Sequence, residues 1–322
     1  MEKQKNGVIL EMPSVVDYDY EMVCGAPQTQ FPNKFSIDRK YAGKVKNQDE
    51  VDACLAMVIS SIAEVLYRKA KENEGFTEET DLYKDFSEGW FYGALRNDDS
   101  MSNGMIVSIA LDLWLKLGSL PSIYFDMLYE MPDIKKTVKS REDLYEIAKE
   151  HPIGGYVSLN YGDREKRDTA IKDALTKYGY GLLAVSNNYF GEGHCIMLTG
   201  WDDENDKYEF KNSWGEKYRD KGFGYIPKEK VNAVYLILMD KPNINFTDVT
   251  EDKWYYKAIK NAVLAGIVKG VSETSFEPDR PVTRAEFTQG LLNVYKKIDE
   301  QNNAMYKSLM EYIDRKVDKK PV

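Results

Sequence analysis

The chain has 322 residues, 43% hydrophobic and 30% charged, a globular composition with enough length for one large domain and a small one. Lys and Arg number 44 against 53 Asp and Glu, a net charge of -9 with no basic cluster, which argues against a nucleic-acid partner and fits ordinary solubility. The three cysteines, Cys24, Cys54 and Cys195, are too few for a secreted disulfide scaffold, and no bridge is expected.

The longest apolar run near the start, Val8-Ile9-Leu10, is too short for a signal-peptide core. No stretch approaches the roughly 20 apolar residues of a membrane span. The chain as given is therefore expected to be soluble, with a start that does not direct export. Residues 1–30, with Pro13 and Pro27 and no sustained period, read as an extended arm. From Cys54 the positions Leu55, Val58, Ile59, Ile62, Val65 and Leu66 fit one face of a helix. A second helix is expected with Ile106, Ile109, Ala110, Leu113 and Leu117 inward and Gly118 as its stop. Shorter helices are expected at Leu144–Ala148 and Ala170–Tyr178, with a strand over Tyr156–Leu159 between them.

Beyond Tyr178 the period changes. Leu182–Val185, Cys195–Thr199, Tyr208–Lys211, Gly224–Ile226 and Val234–Met239 read as strands separated by Gly and Asp turns. Helices first and strands later argue for an α+β domain. Asp240-Lys241-Pro242-Asn243 marks a boundary, and the remainder is helical around a loop containing Gly and Pro.

Two distant fragments supply the parts of a thiol-based acyl-transfer site. Cys54 opens an amphipathic helix, where unpaired N–H groups and the macrodipole favour a thiolate. Its base must be one of two histidines. His151 precedes Pro152 in a loop-like segment without a polar partner pattern. His194 follows Gly191-Glu192-Gly193 and opens an apolar strand, a rigid mount for a base. Asn212 stands eighteen residues further on, where a returning hairpin would bring its side-chain oxygen to the imidazole and fix the tautomer. Trp214 would cover that hydrogen bond. Gln48, six residues before Cys54, offers an amide N–H to an oxyanion alongside the Cys54 backbone N–H. Taken singly, Cys54 fits an inert buried thiol better than a nucleophile, and the alternative for His194 is a strand cap.

Lys46-Asn47-Gln48 with Cys54, Gly193-His194, Lys211-Asn212-Ser213-Trp214-Gly215 and Gly222-Phe223-Gly224-Tyr225 resemble the papain family of cysteine peptidases over residues 31–240. The Cys54 to His194 separation, 140 residues, lies within that family's ~130–150 range. The resemblance implies a two-lobed α+β fold, a helical lobe facing a β-barrel-like lobe, with the cleft between. It implies Cys54 as nucleophile, His194 as base and acid, Asn212 as orienter and Gln48 as oxyanion donor, with no cofactor and no metal. Asn103-Gly104 and the following helix align with the family's substrate-backbone segment, with Met105 at a usual second glycine. Ile106, Val107 and Cys195 would then line the second specificity pocket, favouring an apolar side chain one residue before the scissile residue. The nucleophile run departs from the family's Cys-Gly-Ser-Cys-Trp: here it is Val51-Asp52-Ala53-Cys54-Leu55. Asp49, Glu50 and Asp52 bring negative charge near the thiol, expected to raise its pKa. Thirty N-terminal residues are too few for the family's inhibitory propeptide but long enough to lie in the cleft.

Phe246-Thr247-Asp248-Val249, Trp254, Gly266-Ile267-Val268, Phe276-Glu277-Pro278 and Val282-Thr283-Arg284-Ala285-Glu286-Phe287 resemble one S-layer homology motif. Such motifs bind pyruvylated secondary cell-wall polymers, which implies Trp254 as stacking surface and Arg284 as cation, with Glu286 beside them. For Arg284 and Glu286 the alternative is helix-end ion pairing. The expected organisation is an arm at 1–30, a papain-like domain at 31–241, a small all-α S-layer homology module at 242–300 and a helical tail at 301–322. Met305, Leu309, Tyr312, Ile313 and Val317 in the tail form a helical stripe suited to cover the module or a partner chain, and for a lone motif the alternatives are self-association, docking on the peptidase domain, or a relic. The leading reading is a cysteine endopeptidase of a Gram-positive surface or its phage, acting on protein or peptide and held by cell-wall polymer. The alternatives are a non-catalytic wall-binding or scaffold protein with a degenerate peptidase fold, and a peptidoglycan-directed cysteine peptidase.

Overall fold

The computed structural model describes residues 8–9, 18–75, 85–95, 104–126, 134–191, 193–296 and 298–299. Asn103, Glu192 and the tail at 301–322 lie outside the described residues. The elements in chain order are β1 (Val8–Ile9), α1 (Tyr20–Cys24), β2 (Lys34–Ser36), α2 (Cys54–Asn73), α3 (Glu88–Ala94), β3 (Met105–Ile106), α4 (Val107–Leu117), α5 (Ile134–Lys139) and α6 (Glu142–Ala148). Then come β4 (Gly155–Ser158), α7 (Arg164–Tyr178), β5 (Leu182–Ser186), β6 (His194–Asp202), β7 (Lys207–Lys211), β8 (Phe223–Pro227), β9 (Ala233–Leu238) and α8 (Tyr256–Leu264). A last helix, α9, spans 284–296.

Helices gather in the first half and strands in the second, an α+β arrangement. Seven strands form one sheet in the order β4-β9-β5-β6-β7-β8, with β2 also on β6. Its pairs are antiparallel. β6 is buried along its whole length, which is why its sequence runs apolar without alternation. α2 is buried through its first thirteen residues, Cys54 to Leu66, because β5 and β6 pack on one side and α3 on another. A helix apolar on one face in sequence is here enclosed on several, and Ser60, Ser61 and Glu64 are buried with it. Ser60 and Ser61 answer this by donating to the Met57 carbonyl at 3.0 and 2.9 Å.

Two local expectations are corrected. α4 ends at Gly118 as expected, where φ is 77° and a Cβ would collide with the Ala148 carbonyl. Its inward face, however, is Val107, Ala110, Leu111 and Trp114, while Ile106, Ile109, Leu113 and Leu117 are half-buried. Both sets satisfy the i, i+3, i+4, i+7 rule. The bulk of Trp114 decides the phase, its indole N–H donating to Ser119 Oγ at 2.8 Å. The arm is not uniformly extended either. Asp19 caps α1 by accepting from the Met22 N–H at 3.1 Å. Tyr20 is buried and its hydroxyl donates to Asp173 on α7 at 2.6 Å, so this part of the arm belongs to the domain surface.

After β9 the chain passes through Asp240–Pro242 into the C-terminal module. Asp248 accepts the N–H groups of Phe276 and Glu277, at 3.0 and 2.7 Å, which pins the loop between α8 and α9. Those N–H bonds hold the Asp248 carboxyl down to about 2. α9 starts in a capping box: Thr283 Oγ1 accepts from the Glu286 N–H at 3.1 Å and Glu286 accepts from the Thr283 N–H at 2.8 Å. The module touches the arm through the Asp19 N–H, which donates to the Leu264 carbonyl at 2.7 Å.

Candidate active site

Cys54 is the first residue of α2. The residue before it, Ala53, provides no side-chain cap to the helix N-terminus. The Cys54 sulfur accepts the backbone N–H of Cys195 at 3.4 Å, which places it at the start of β6, next to His194. None of the three cysteines is in a disulfide, and all three are buried.

β6 and β7 form the hairpin that brings Asn212 back to His194. Met197 pairs with Lys211 across it, so His194 and Asn212 stand together at its open end. Asn212 Oδ1 lies 2.7 Å from His194 Nε2 and also accepts the Ser213 N–H at 2.8 Å. The Ser213 N–H can only meet an acceptor, so the atom facing His194 is oxygen, and the Nε2 position carries the proton. The lone pair is therefore on Nδ1, which is buried and has no hydrogen-bond partner among the described residues. Trp214 lies over the imidazole with ring centroids 4.8 Å apart and planes 30° apart, and Phe190 meets it edge-on at 4.8 Å. Enclosed this way, His194 is pulled down to about 4 by burial, against the opposing pull of its bond to Asn212.

Gln48 is buried beside the same hairpin. Its backbone N–H donates to the Ser213 carbonyl at 2.9 Å, and its Oε1 accepts from Ser213 Oγ at 2.6 Å. Nε2 is thereby turned toward the loop leading into α2, donating to the Val51 carbonyl at 3.0 Å. Cys54, His194, Asn212, Gln48 and Trp214 thus converge on the junction of α2 with the β6–β7 hairpin. His151 is elsewhere, its ring between Tyr67 and Phe86.

The other nominated residues separate. Gly104 and Met105 are buried and Ile106 is half-buried, on β3 and its approach. β1 of the arm pairs with β3 in parallel, Val8 with Met105 and Ile9 with Ile106. Val107 and Cys195 are both fully buried in the core. Of the acidic residues near the thiol, Asp52 is buried and Asp49 and Glu50 face solvent. In the module Trp254 is 91% exposed and Arg284 is exposed. Glu286 is committed to the capping box and to Arg280, 2.6 Å away, which together hold its carboxyl at about 2.

Sequence reasoning missed a buried ionic cluster behind the site. Lys46 contacts Glu64, Glu88 and Asp85, the last at 3.0 Å. Burial alone would pull Lys46 down, but the three carboxylates outweigh it and hold it above its ordinary value. Those carboxylate oxygens lie within 4.8 Å of one another, a spacing that suits a metal ion, yet the Lys46 ammonium already supplies the cation. Lys211 donates to Ser61 Oγ at 2.9 Å and the Lys44 carbonyl at 2.7 Å, and burial pushes it down to about 7. Because Lys46 is two residues from Gln48 and Lys211 adjoins Asn212, the cluster ties both strands of the site to α2. The only sequence signal was two lysines within polar motifs that also held the nominated residues. Ser213 was quoted in a motif without a role, yet it holds both Gln48 and Asn212. A separate cleft of about 500 Å³, lined by Arg39, Tyr189, Lys207, Arg219, Phe223 and Tyr225, lies away from Cys54.

Residues 245–288 match the S-layer homology domain family. Over 54 residues the chain is 43% identical to the surface-layer 125 kDa protein of Lysinibacillus sphaericus, which spans 17% of this chain and 5% of that one. Over 95 residues it is 30% identical to the gamete and mating-type specific protein A of Dictyostelium discoideum, covering 25% of this chain and 21% of that one. The chain therefore spans only a small part of the length of these curated relatives. Among solved structures it is similar to xylellain, a cysteine protease from Xylella fastidiosa, with a TM-score of 0.55 at 17% identity, over 74% of this chain and 97% of that one. It is also similar to procathepsin L 3 of the Tenebrio molitor larval midgut, with a TM-score of 0.52 at 14% identity, over 71% and 75% of the two chains. The large domain has the papain-like fold, and an S-layer homology domain follows it.

Proposed function

We propose that the chain is a cysteine peptidase that cleaves peptide bonds through a thioacyl-enzyme and is held at a bacterial cell wall by its S-layer homology domain. One observation carries the catalytic part: a buried imidazole whose Nε2 is bound to Asn212 and whose Nδ1 has no partner among the described residues, on the residue next to the Cys195 N–H that the Cys54 sulfur accepts. That is the arrangement of a base awaiting a proton. In this reading His194 Nδ1 takes the Cys54 thiol proton, and the thiolate attacks the scissile carbonyl. Gln48 Nε2 and the Cys54 N–H receive the oxyanion. His194 then returns its proton to the leaving amine, and water, activated by the same nitrogen, releases the acid. Asn212 holds the tautomer throughout. Gly104, Met105 and Ile106 would pair with an extended peptide, while Val107 and Cys195 would back the pocket for an apolar side chain.

Turnover of a fluorogenic peptide library by wild type and by Cys54→Ala tests this, together with the mass of the protein after exposure to an epoxide thiol inhibitor. Turnover and a single adduct are expected in wild type alone. Absence of both in wild type sinks the catalytic reading.

The second reading, a wall-binding protein with an inactive peptidase fold, is favoured by the complete burial of Cys54, His194 and Gln48 and by β1 lying along β3. It predicts polymer retention with no turnover under any condition. For the wall, the exposed Trp254 and Arg284 offer a stacking face and a cation to an anionic sugar. A surface location follows from this same reading.

A further inference from the structure

We propose that the cleft along β7 and β8 binds an acidic saccharide, a sugar unit that carries a carboxylate. The register of the sheet lays its floor. Ser36, Gly200, Glu209 and Tyr225 stand in one row across β2, β6, β7 and β8, and Lys34, Asp202, Lys207 and Pro227 stand in the next row, two residues along. Residues two apart on a strand share a face, so Glu209 and Lys207 look to the same side. Glu209 is only 7% exposed, and its Oε2 accepts from the hydroxyls of Ser36 and Thr199, the latter at 3.0 Å. Its Oε1 has no hydrogen-bond partner among the described residues, yet it is not sealed from the cleft of about 500 Å³ that the residue lines. A carboxylate this buried is costly without donors, so the cleft must bring one to Oε1, from water or from a ligand.

Two cations border the same space without a carboxylate of their own. Lys207 is in no ion pair among the described residues, because Asp202, its register neighbour on β6, is taken by Lys34 at 3.2 Å and by Asn205 at 3.1 Å. Arg219 stands in the left-handed region at φ 40° and donates from Nη1 to the Tyr225 carbonyl at 3.3 Å. It lies across Gly224, where a Cβ would come within 3.1 Å of its Cδ, and no carboxylate among the described residues pairs with it. Arg39 and Asp220, also on the cleft, neutralise each other.

The cleft thus offers an acceptor for a donor, two positive groups for an anion, and the half-buried rings of Tyr189 and Tyr225. A sugar acid supplies all three: ring hydroxyls donate to Glu209, its carboxylate pairs with Lys207 and Arg219, and its C–H face covers an aromatic ring. An α-amino acid also brings a donor and a carboxylate, but its ammonium would enter beside Lys207 and be repelled by it, which a neutral hydroxyl avoids. A neutral sugar would leave both cations unanswered. The site shares no residue with the Cys54 site or with the Trp254 and Arg284 face, so it rests on neither the peptidase nor the wall-binding reading.

The test is calorimetric titration of the full chain with trigalacturonic acid at low salt, with neutral maltotriose and glutamate as comparison ligands. Wild type is expected to bind trigalacturonic acid, more weakly as salt rises, and neither comparison ligand at the same concentration. Lys207→Ala and Arg219→Ala should each weaken binding by about tenfold or more, the worth of one hydrogen bond to a charged group. Neither variant breaks an ion pair, so melting temperatures should hold. Glu209→Gln keeps an acceptor oxygen and loses the charge, and should weaken binding several-fold. Trp254→Ala should leave it unchanged. No binding by folded wild type at millimolar ligand overturns the proposal. So do unchanged affinity in both Lys207→Ala and Arg219→Ala, binding that Trp254→Ala abolishes, and equal binding of maltotriose or glutamate.

Discussion

His194 shows how far burial can set one side chain. Its imidazole is neutral in the enclosed site, with a pKa near 4 against about 6.5 in an unfolded chain. The folded value is the lower one, so between pH 6.5 and 4 the unfolded state binds more protons and stability falls as pH falls. Above pH 6.5 the group contributes no slope. The loss approaches about 3 kcal/mol near pH 4. Melting curves against pH should show this decline in wild type and a flatter profile in His194→Gln; parallel curves would mean that the imidazole is not buried neutral. Gln48→Ala should lower kcat by about two to three orders of magnitude while leaving KM nearly unchanged, since an oxyanion donor acts mainly on the transition state. Ser213→Ala removes the hydroxyl that fixes the Gln48 amide at 2.6 Å. It should lower kcat less than Gln48→Ala does and cost about 1 kcal/mol of stability, read in the same assays.

At the scale of elements, the site is the meeting of one helix end with one hairpin. α2 carries the thiol, the β6–β7 hairpin carries the imidazole and the amide proposed as base and orienter, and Lys46 and Lys211 bind both neighbourhoods to α2 through Glu64 and Ser61. The β1–β3 pairing lies on the segment proposed to receive an extended peptide, where Gly104, Met105 and Val107 are buried and Ile106 is half-buried. A strand already on β3 competes with a substrate for the same N–H and C=O groups. Val8→Pro with Ile9→Pro, which removes two N–H donors from β1, should therefore raise kcat/KM on short peptides several-fold. Unchanged or lower kcat/KM, with the fold intact, would show that β1 does not limit access.

Across the whole molecule, the buried site proposed for acyl transfer and the exposed residues proposed for polymer binding occupy different modules of one chain. Trp254→Ala and Arg284→Ala should each reduce retention on purified wall polymer without changing peptide turnover. Retention equal to wild type in both would remove these residues from the wall-binding reading. Glu286→Ala should act differently, loosening α9 through loss of the capping box. Its effect should appear in the melting temperature of the module and not in a retention assay scaled to folded protein.

Much of this was legible in the residues themselves. The period of the Cys54 helix, the strands from Leu182 onward, the Gly118 stop and the polar motifs around Gln48, His194 and Asn212 are local or strongly patterned, and local chemistry marks them in one dimension. The phase of α4 was not legible, because two apolar faces satisfied the same spacing and only the packing of Trp114 chose between them. Neither was the Lys46–Glu64–Glu88–Asp85 cluster, whose members are spread over residues 46 to 88 and mean nothing until α2 and α3 lie side by side. The basicity of Nδ1 and the closure of the site belong to the same class. Residue types and spacing determined which groups are available for chemistry; desolvation and direction, which exist only between elements packed in three dimensions, decided their protonation, their access and their neighbours.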